Sequence, residues 1–181
     1  MVDDIPAIAL LGPEREPVSP EALAMAAGLG RALAASGCGV IVSGGGPVAS
    51  AAGRAALENG GRVMAMVDAD GPVPELGAEA RVVIHPTVFR RLEGVLEHAD
   101  ALIALPGGLT SLAALLQVWA YGDTVDGPYR PMVLVGEAWP AIVKALADAA
   151  ALDRRTRAMV TFATTADEAV ETLRYYVSAR S

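Results

Sequence analysis

Two glycine-rich segments contain the residues of this sequence that could hold an anion. Gly44–Gly46 precede Pro47, and Pro106–Gly108 come shortly before Thr110 and Ser111. Glycine has no Cβ, so backbone amides at such corners can approach an anion closely, and a helix that starts there directs its positive dipole end to the same place. The two hydroxyls can donate hydrogen bonds to phosphate or ribose oxygens. The pattern indicates a phosphate site, although a tight turn packed beneath a neighbouring loop requires the same residues.

Neither segment matches the most familiar phosphate loops. Both lack the Lys-Ser/Thr ending of a P-loop, and neither has the G-x-G-x-x-G spacing of the dinucleotide-binding fingerprint. P-loop kinases and nicotinamide dehydrogenases are therefore disfavoured. The chemistry that remains is the binding of a phosphorylated ligand through backbone amides, with hydroxyl groups as additional donors.

Few other side chains suggest chemistry. His85 and His98 are the only histidines and Cys38 is the only cysteine, and no spacing among them matches a metal site. All three are expected to be structural. Arg90 and Arg91 lie side by side, where a guanidinium can clamp a phosphate bidentately, but a solvated pair on a helix surface fits the same pattern.

The glycine segments lie between apolar runs and helical segments that alternate along the chain. Strands are predicted at about 5–11, 40–42, 63–67, 81–84, 101–105, 132–135 and 159–162, and helices at about 20–36, 47–59, 87–98, 110–121, 138–151 and 166–178. Continuous apolar strands that alternate with helices are typical of a parallel sheet covered on both faces. The sequence predicts an α/β fold, a doubly wound parallel sheet in three α/β/α layers, formed by residues 1–181 as one domain. Ligands of such sheets bind beyond the carboxyl ends of the strands, where the glycine segments and Gly12 lie.

Composition disfavours several classes of function. The chain has 181 residues, a formal net charge of −7 and a single lysine, Lys144, so a broad nucleic-acid surface is not expected. Although 53% of the residues are hydrophobic, no uncharged apolar run approaches the roughly 20 residues of a membrane span, and Asp3 and Asp4 stand where a signal peptide would be basic. One cysteine permits no internal disulfide. These features predict a cytoplasmic protein that binds neither membranes nor nucleic acid.

Three stretches together resemble one known family. Ser43–Pro47 (SGGGP), Phe89–Arg91 and His98–Gly108 (HADALIALPGG) are similar in order and spacing to the LOG family, long labelled "lysine decarboxylase-like", and the likeness extends over about residues 8–171. The resemblance implies a Rossmann-like, dimeric domain. It also implies a link to the hydrolysis of the N-glycosidic bond of nucleoside 5′-monophosphates, notably cytokinin ribotides. The wider SLOG superfamily includes molybdenum-cofactor carriers, DNA-processing domains and nucleotide sensors.

The sequence departs from the family pattern at the catalytic positions. In the pattern PGGxGTxxE, Thr110 stands at the later glycine, Ser111 at the threonine and Ala114 at the catalytic glutamate. The second glutamate of the family falls on Gln117, whereas Arg91 matches the family arginine. Cleavage of a glycosidic bond through an oxocarbenium-like transition state requires a carboxylate near the ribose. The chain is therefore assigned no catalytic residue.

Three interpretations follow. The first is a nucleotide-binding protein without efficient hydrolysis, and the second is a phosphoribohydrolase in which Ser111 and Gln117 position water in place of the glutamate. The third is a molybdenum-cofactor carrier or a structural module. No cofactor is required, and the expected ligand is a phosphorylated nucleotide or the molybdenum cofactor. An apolar stripe that includes Leu115 and Trp119, together with the dimers of the resembled family, predicts a homodimer. The predicted ligand-binding residues are Gly12, Gly44, Gly45, Gly46, Arg91, Pro106, Gly107, Gly108, Thr110, Ser111 and Gln117, with no metal ligand.

Overall fold

A computed structural model describes residues 5–15, 17–124 and 130–178, in which strands and helices alternate as predicted. The strands are β1 (Ala7–Leu11), β2 (Gly39–Ser43), β3 (Val63–Asp68), β4 (Arg81–His85), β5 (Ala101–Ala104), β6 (Met132–Val135) and β7 (Val160–Ala163). The helices are α1 (Pro20–Ala35), α2 (Pro47–Glu58), α3 (Val88–His98), α4 (Leu109–Gly122), α5 (Trp139–Ala149), α6 (Arg154–Arg157) and α7 (Ala166–Ser178).

Within the described residues the strands form one parallel sheet in the order β4-β3-β2-β1-β5-β6-β7. Ile8 of β1 pairs with Val40 of β2 on one side and with Ala101 of β5 on the other. The chain builds outward from β1 through β2, β3 and β4, and then returns to place β5, β6 and β7 on the opposite side. Strand order therefore reverses between β1 and β5, where the loops diverge and leave a crevice. The predicted doubly wound, Rossmann-like α/β fold is confirmed.

Helices cover both faces of the sheet and enclose two apolar cores. Side chains of α1, α2 and α7 form one core, and side chains of α3, α4 and α5 form the other. Every residue of β1, β2, β5 and β6 is buried, which explains why these strands read as continuous apolar runs. Small residues let α1 and α2 approach each other closely, since a Cβ on Gly30 of α1 would overlap the Ala52 carbonyl of α2.

The helices differ from the prediction in one respect. Sequence reasoning missed α6, a single turn in which the Asp153 carboxylate accepts a hydrogen bond from the Thr156 amide at 2.8 Å. Such a short turn shows no hydrophobic period that a sequence could reveal. None of the helices in the described segments is long and apolar enough to cross a membrane.

Candidate ligand-binding site

The crevice between β1 and β5 is a cleft of about 760 Å³. Its walls come from the loop after β1, the first turns of α1, the loop after β5 with the start of α4, and the end of β6. Because α1 and α4 both begin here, two positive helix-dipole ends lie beside the cleft. This is the position at which doubly wound sheets bind ligands. The predicted site residues that line the cleft are Pro106, Gly107, Gly108, Thr110 and Ser111.

The segment Pro106–Gly108 contains two glycines with different surroundings. A Cβ on Gly107 would overlap the Ser111 hydroxyl, so packing requires glycine there. Gly108 is the N-cap of α4 with φ of −70°, a value that any residue adopts, and a Cβ built on it would have no atom within 4 Å. Packing therefore does not require glycine at position 108. The Ser111 hydroxyl beneath this turn is buried and has no hydrogen-bond partner among the described residues.

The glycine triplet after β2 is covered by neighbouring loops. Gly44 has φ of +84°, a left-handed conformation that favours glycine, and a Cβ on it would lie 2.6 Å from Arg91 Nη1. A Cβ on Gly45 would overlap the Pro72 carbonyl, and one on Gly46 would overlap the backbone of the loop after β1. None of the three glycines lines the cleft. Packing is thus sufficient to explain the three glycines, in agreement with the alternative interpretation of a tight turn beneath a neighbouring loop.

Arg91 lies beneath the triplet and does not line the cleft. Its side chain is 1% exposed; Nη2 donates a hydrogen bond to Glu14 Oε1 at 2.8 Å, and Nε forms an ion pair with Asp68 Oδ1 at 3.1 Å. Nη1 is buried and has no hydrogen-bond partner among the described residues. The neighbouring Arg90 is exposed and pairs with Glu93 on the same helix. Arg90 is therefore a solvated surface residue, whereas Arg91 is an internal cation.

Three other sequence-derived positions do not line the cleft. Gly12 is buried, and a Cβ on it would lie 2.7 Å from Val48 Cγ1, so packing explains this glycine. Ala114 is buried in the core beneath α4. Gln117 lines a separate groove of about 530 Å³, which also includes Tyr121. The serine and glutamine that the second interpretation needed to position water thus line different cavities.

Two carboxylates that line the cleft, Glu14 and Glu21, are not among the predicted ligand-binding residues. Their position after the first strand suggested that they lie near the cleft. An acid at the start of a helix usually has a structural role, however, so the residue type did not indicate ligand binding. The backbone amide of Glu21 and the Ser19 hydroxyl hold the pKa of the Glu21 carboxyl below its usual value, so this group stays ionised. Val18 and Met25 add apolar surface to the same wall.

The histidines and the cysteine have structural surroundings. His98 Nδ1 lies 2.8 Å from the Gly94 carbonyl oxygen, and the His85 ring packs closely against Gly94. Cys38 is buried, and this burial raises the pKa of its thiol. In residues 5–15, 17–124 and 130–178, no cluster of three or more histidine, cysteine, aspartate and glutamate side chains could hold a metal ion.

Known proteins share both the fold and part of the sequence. The protein family described as "Possible lysine decarboxylase" matches residues 49–173. A cytokinin riboside 5′-monophosphate phosphoribohydrolase of Mycobacterium marinum is 32% identical over 133 residues, which cover 68% of this chain. The same residues cover 66% of that relative, just under two thirds of its length.

Solved structures extend the likeness over nearly the whole fold. The molybdenum cofactor carrier protein of Chlamydomonas reinhardtii has a TM-score of 0.73 and 20% identity, covering 96% of this chain and 99% of that one. The molybdenum cofactor binding protein of Rippkaea orientalis has a TM-score of 0.74 and 18% identity, covering 96% and 98%. At such identities the likeness concerns the fold alone. The family match covers more than half of the sequence, and by this match the chain belongs to the LOG, or lysine decarboxylase-like, family.

Proposed function

We propose that this chain binds a phosphorylated nucleotide, or a related phosphorylated cofactor, in the cleft between β1 and β5 without hydrolysing it efficiently. The observation that carries the proposal is the environment of Gly108. This residue lines the cleft, and apart from its chain neighbours no atom of the described residues lies within 4 Å of a Cβ built on it. Packing does not require glycine at this N-cap, and among the favoured N-cap residues glycine is the one that lets a phosphate approach the backbone most closely.

The start of α4 provides donors for that phosphate. The amides of its first turn have no acceptor within the helix, and the helix dipole favours an anion beside them. The hydroxyl of Ser111 is a buried donor without a partner in the segments that the structure describes, a state that costs about 1–3 kcal/mol in proteins. A phosphate oxygen would supply the missing acceptor, and the exposed Thr110 hydroxyl is a further donor at the same turn.

The opposite wall of the cleft suits the remainder of a nucleotide. Glu21 is an acceptor when ionised, so its carboxylate is matched to ribose hydroxyls or amino groups and not to phosphate, whereas the Glu14 carboxylate is already paired with Arg91. Val18 and Met25 offer apolar surface for a planar ring. A ligand with a phosphate at α4 and its sugar and base toward α1 satisfies both walls.

The missing carboxylate of α4 argues against efficient hydrolysis. Ala114 has no ionisable group, and its side chain is directed into the core and not into the cleft. Without a positioned carboxylate near the ribose, the glycosidic bond loses its acid–base assistance. The molybdenum cofactor is included among the candidate ligands because carriers of this cofactor have the same fold.

Gly108→Ala is expected to weaken nucleotide binding by about tenfold, or about 1.4 kcal/mol, because the new methyl group occupies the space of the phosphate. Its effect on folding should be about 1 kcal/mol or less, since only the N-cap changes. Isothermal calorimetry against nucleoside mono- and diphosphates, cyclic nucleotides and the molybdenum cofactor measures the first effect. At least one ligand should bind the unmodified chain at micromolar Kd, about −8 kcal/mol.

Ala113→Val is the matched control, because Ala113 is exposed on the same helix and lies outside the cleft. It should bind ligand as the unmodified chain does. Equal affinity of the Gly108→Ala variant and the unmodified chain would contradict the assignment of the phosphate to α4. If the unmodified chain bound no ligand of the panel, the interpretation as a structural module would be favoured.

A homodimer is also proposed, through the surface of α3 and α4. Leu115 and Trp119 of the apolar stripe are buried in the protein's own core, so the exposed apolar surface beside them is formed by Phe89 and Tyr121, which are 66% and 50% exposed. Light scattering should give twice the chain mass of 18.5 kDa. Phe89→Glu combined with Tyr121→Glu should give a monomer, whereas Val73→Glu, at another exposed apolar residue, should not. A monomeric parent at high concentration contradicts this prediction.

A further inference from the structure

Three neighbouring strands end at the guanidinium of Arg91. Glu14 follows β1, Gly44 follows β2 and Asp68 ends β3, and all three lie close to this one side chain. A Cβ on Gly44 would lie 2.6 Å from Arg91 Nη1 and 2.8 Å from Glu14 Cδ. The absent side chain of the glycine therefore makes room for the pair of Arg91 and Glu14. The glycine corner at which an anion could bind already holds a carboxylate of the chain itself.

Glu14 separates this buried cation from the cleft. Its side chain lines the cleft and is 23% exposed, whereas the Arg91 side chain is 1% exposed. The Glu14 carboxylate is thus the group that a ligand in the cleft meets before it reaches Arg91. Release of this carboxylate would connect the guanidinium to the cleft.

The guanidinium has the donors to accept a different anion. Carboxylate and phosphate oxygens bind a guanidinium in the same fork geometry. Arg91 Nη1 is buried and has no acceptor in the described part of the chain, so a phosphate beside it can take one more hydrogen bond than Glu14 takes now. Asp68 is a second anion beside the guanidinium, with Oδ1 3.1 Å from Nε, and this ion pair does not involve the nitrogen that Glu14 occupies.

We propose that Glu14 is a displaceable internal anion that occupies a second anion subsite, formed by Arg91 and Gly44, and that the phosphate of a ligand takes its place. The identity of that ligand rests on the proposed function, but the competition with Glu14 does not. Only molecules with Glu14 released can bind phosphate at Arg91, and the apparent affinity is reduced by the fraction of molecules in that state. Free and esterified phosphate share this chemistry.

The test titrates inorganic phosphate calorimetrically into the unmodified chain and into Glu14→Ala, Glu14→Gln and Glu93→Ala. Glu14→Ala should bind phosphate at least about tenfold more tightly than the parent, because no carboxylate competes. Glu14→Gln should gain less, since its amide oxygen still accepts from Arg91 but carries no charge. Glu93→Ala is the matched control, because it removes a carboxylate that pairs with the exposed Arg90. Phosphate should also raise the melting temperature of Glu14→Ala more than that of the parent, which verifies that the variant is folded.

Equal phosphate affinity in the parent and both Glu14 variants would overturn the proposal, and so would an equal gain in Glu93→Ala, which indicates a general effect of charge. AMP is titrated in parallel to separate this inference from the proposed function. If the parent binds AMP and the Glu14 variants show no gain in phosphate affinity, the displacement of Glu14 is refuted and the proposed function is not. A parent that binds no nucleotide, with a phosphate gain in Glu14→Ala, contradicts the proposed function and supports the subsite.

Discussion

Replacing Arg91 by alanine is expected to lower the free energy of unfolding by about 3 kcal/mol. The side chain is 1% exposed and is the cation shared by Glu14 and Asp68. Its removal leaves two carboxylates close to each other and a cavity where the long side chain was. For a domain of this size the melting temperature should fall by about 6–12 °C, which calorimetry or thermal circular dichroism can measure.

Arg90→Ala is the matched control for this prediction. Arg90 is the preceding residue, but its side chain is 66% exposed and its pair with Glu93 joins neighbouring turns of one helix. Exposed pairs of this kind contribute little to stability, so the control should melt close to the parent. Similar melting temperatures for Arg91→Ala and Arg90→Ala would show that the cluster beneath the glycine triplet does not stabilise the fold.

The unmodified chain is expected to release free base from AMP or isopentenyl-adenine ribotide about 10²–10⁴-fold more slowly than an active phosphoribohydrolase, the factor that positioned acid–base groups contribute. Ala114 supplies no carboxylate, and Gln117 is uncharged and lies on a separate groove. Chromatography of the reaction over time, at enzyme concentrations in the micromolar range, measures the released base. The phosphoribohydrolase of Mycobacterium marinum is a suitable positive control because it is 32% identical to this chain over the matched residues.

Base release by the unmodified chain at rates ordinary for enzymes would contradict the binding-protein proposal and favour the second interpretation. The carboxylates of the cleft would then be the candidates for the missing acid or base. Glu14→Gln and Glu21→Gln, compared at equal folded concentration, identify which of them acts. Loss of turnover in one variant with unchanged binding of AMP would assign the chemistry to that side chain.

Much of the fold follows from the sequence because its signals are local. The strands in the middle of the sheet are buried on both faces and need apolar residues at every position, so they are visible as continuous runs. The start of α1 was equally clear, since Ser19 before Pro20 is a favoured cap, and its hydroxyl does accept a hydrogen bond from the Ala22 amide at 3.2 Å. Alternation of these elements then leaves few topologies.

The candidate site was only partly accessible to the same reasoning. The position of Ser111 follows from a rule of topology, because loops at the carboxyl ends of strands meet at the switch point. The covering of Gly45 by Pro72 does not, since it depends on how a long loop packs after the sheet has formed. The pairing of Arg91 with Glu14 joins residues 77 positions apart, and no local sequence pattern indicates such a contact.

The different surroundings of the two glycine corners have a consequence for the evolution of this chain. Gly44 has a left-handed backbone and lies against the Arg91 and Glu14 side chains, and a larger residue at Gly45 collides with the Pro72 carbonyl, so selection for folding alone is sufficient to retain these glycines, whatever the protein binds. At Gly108 the described residues leave the space open, and packing imposes no such restriction. If a lineage lost ligand binding, the glycines at positions 44 and 45 would still be retained because packing requires them, whereas the residue at position 108 could change. The residue type at position 108, and not the triplet, is therefore the informative feature when related chains are compared for ligand binding.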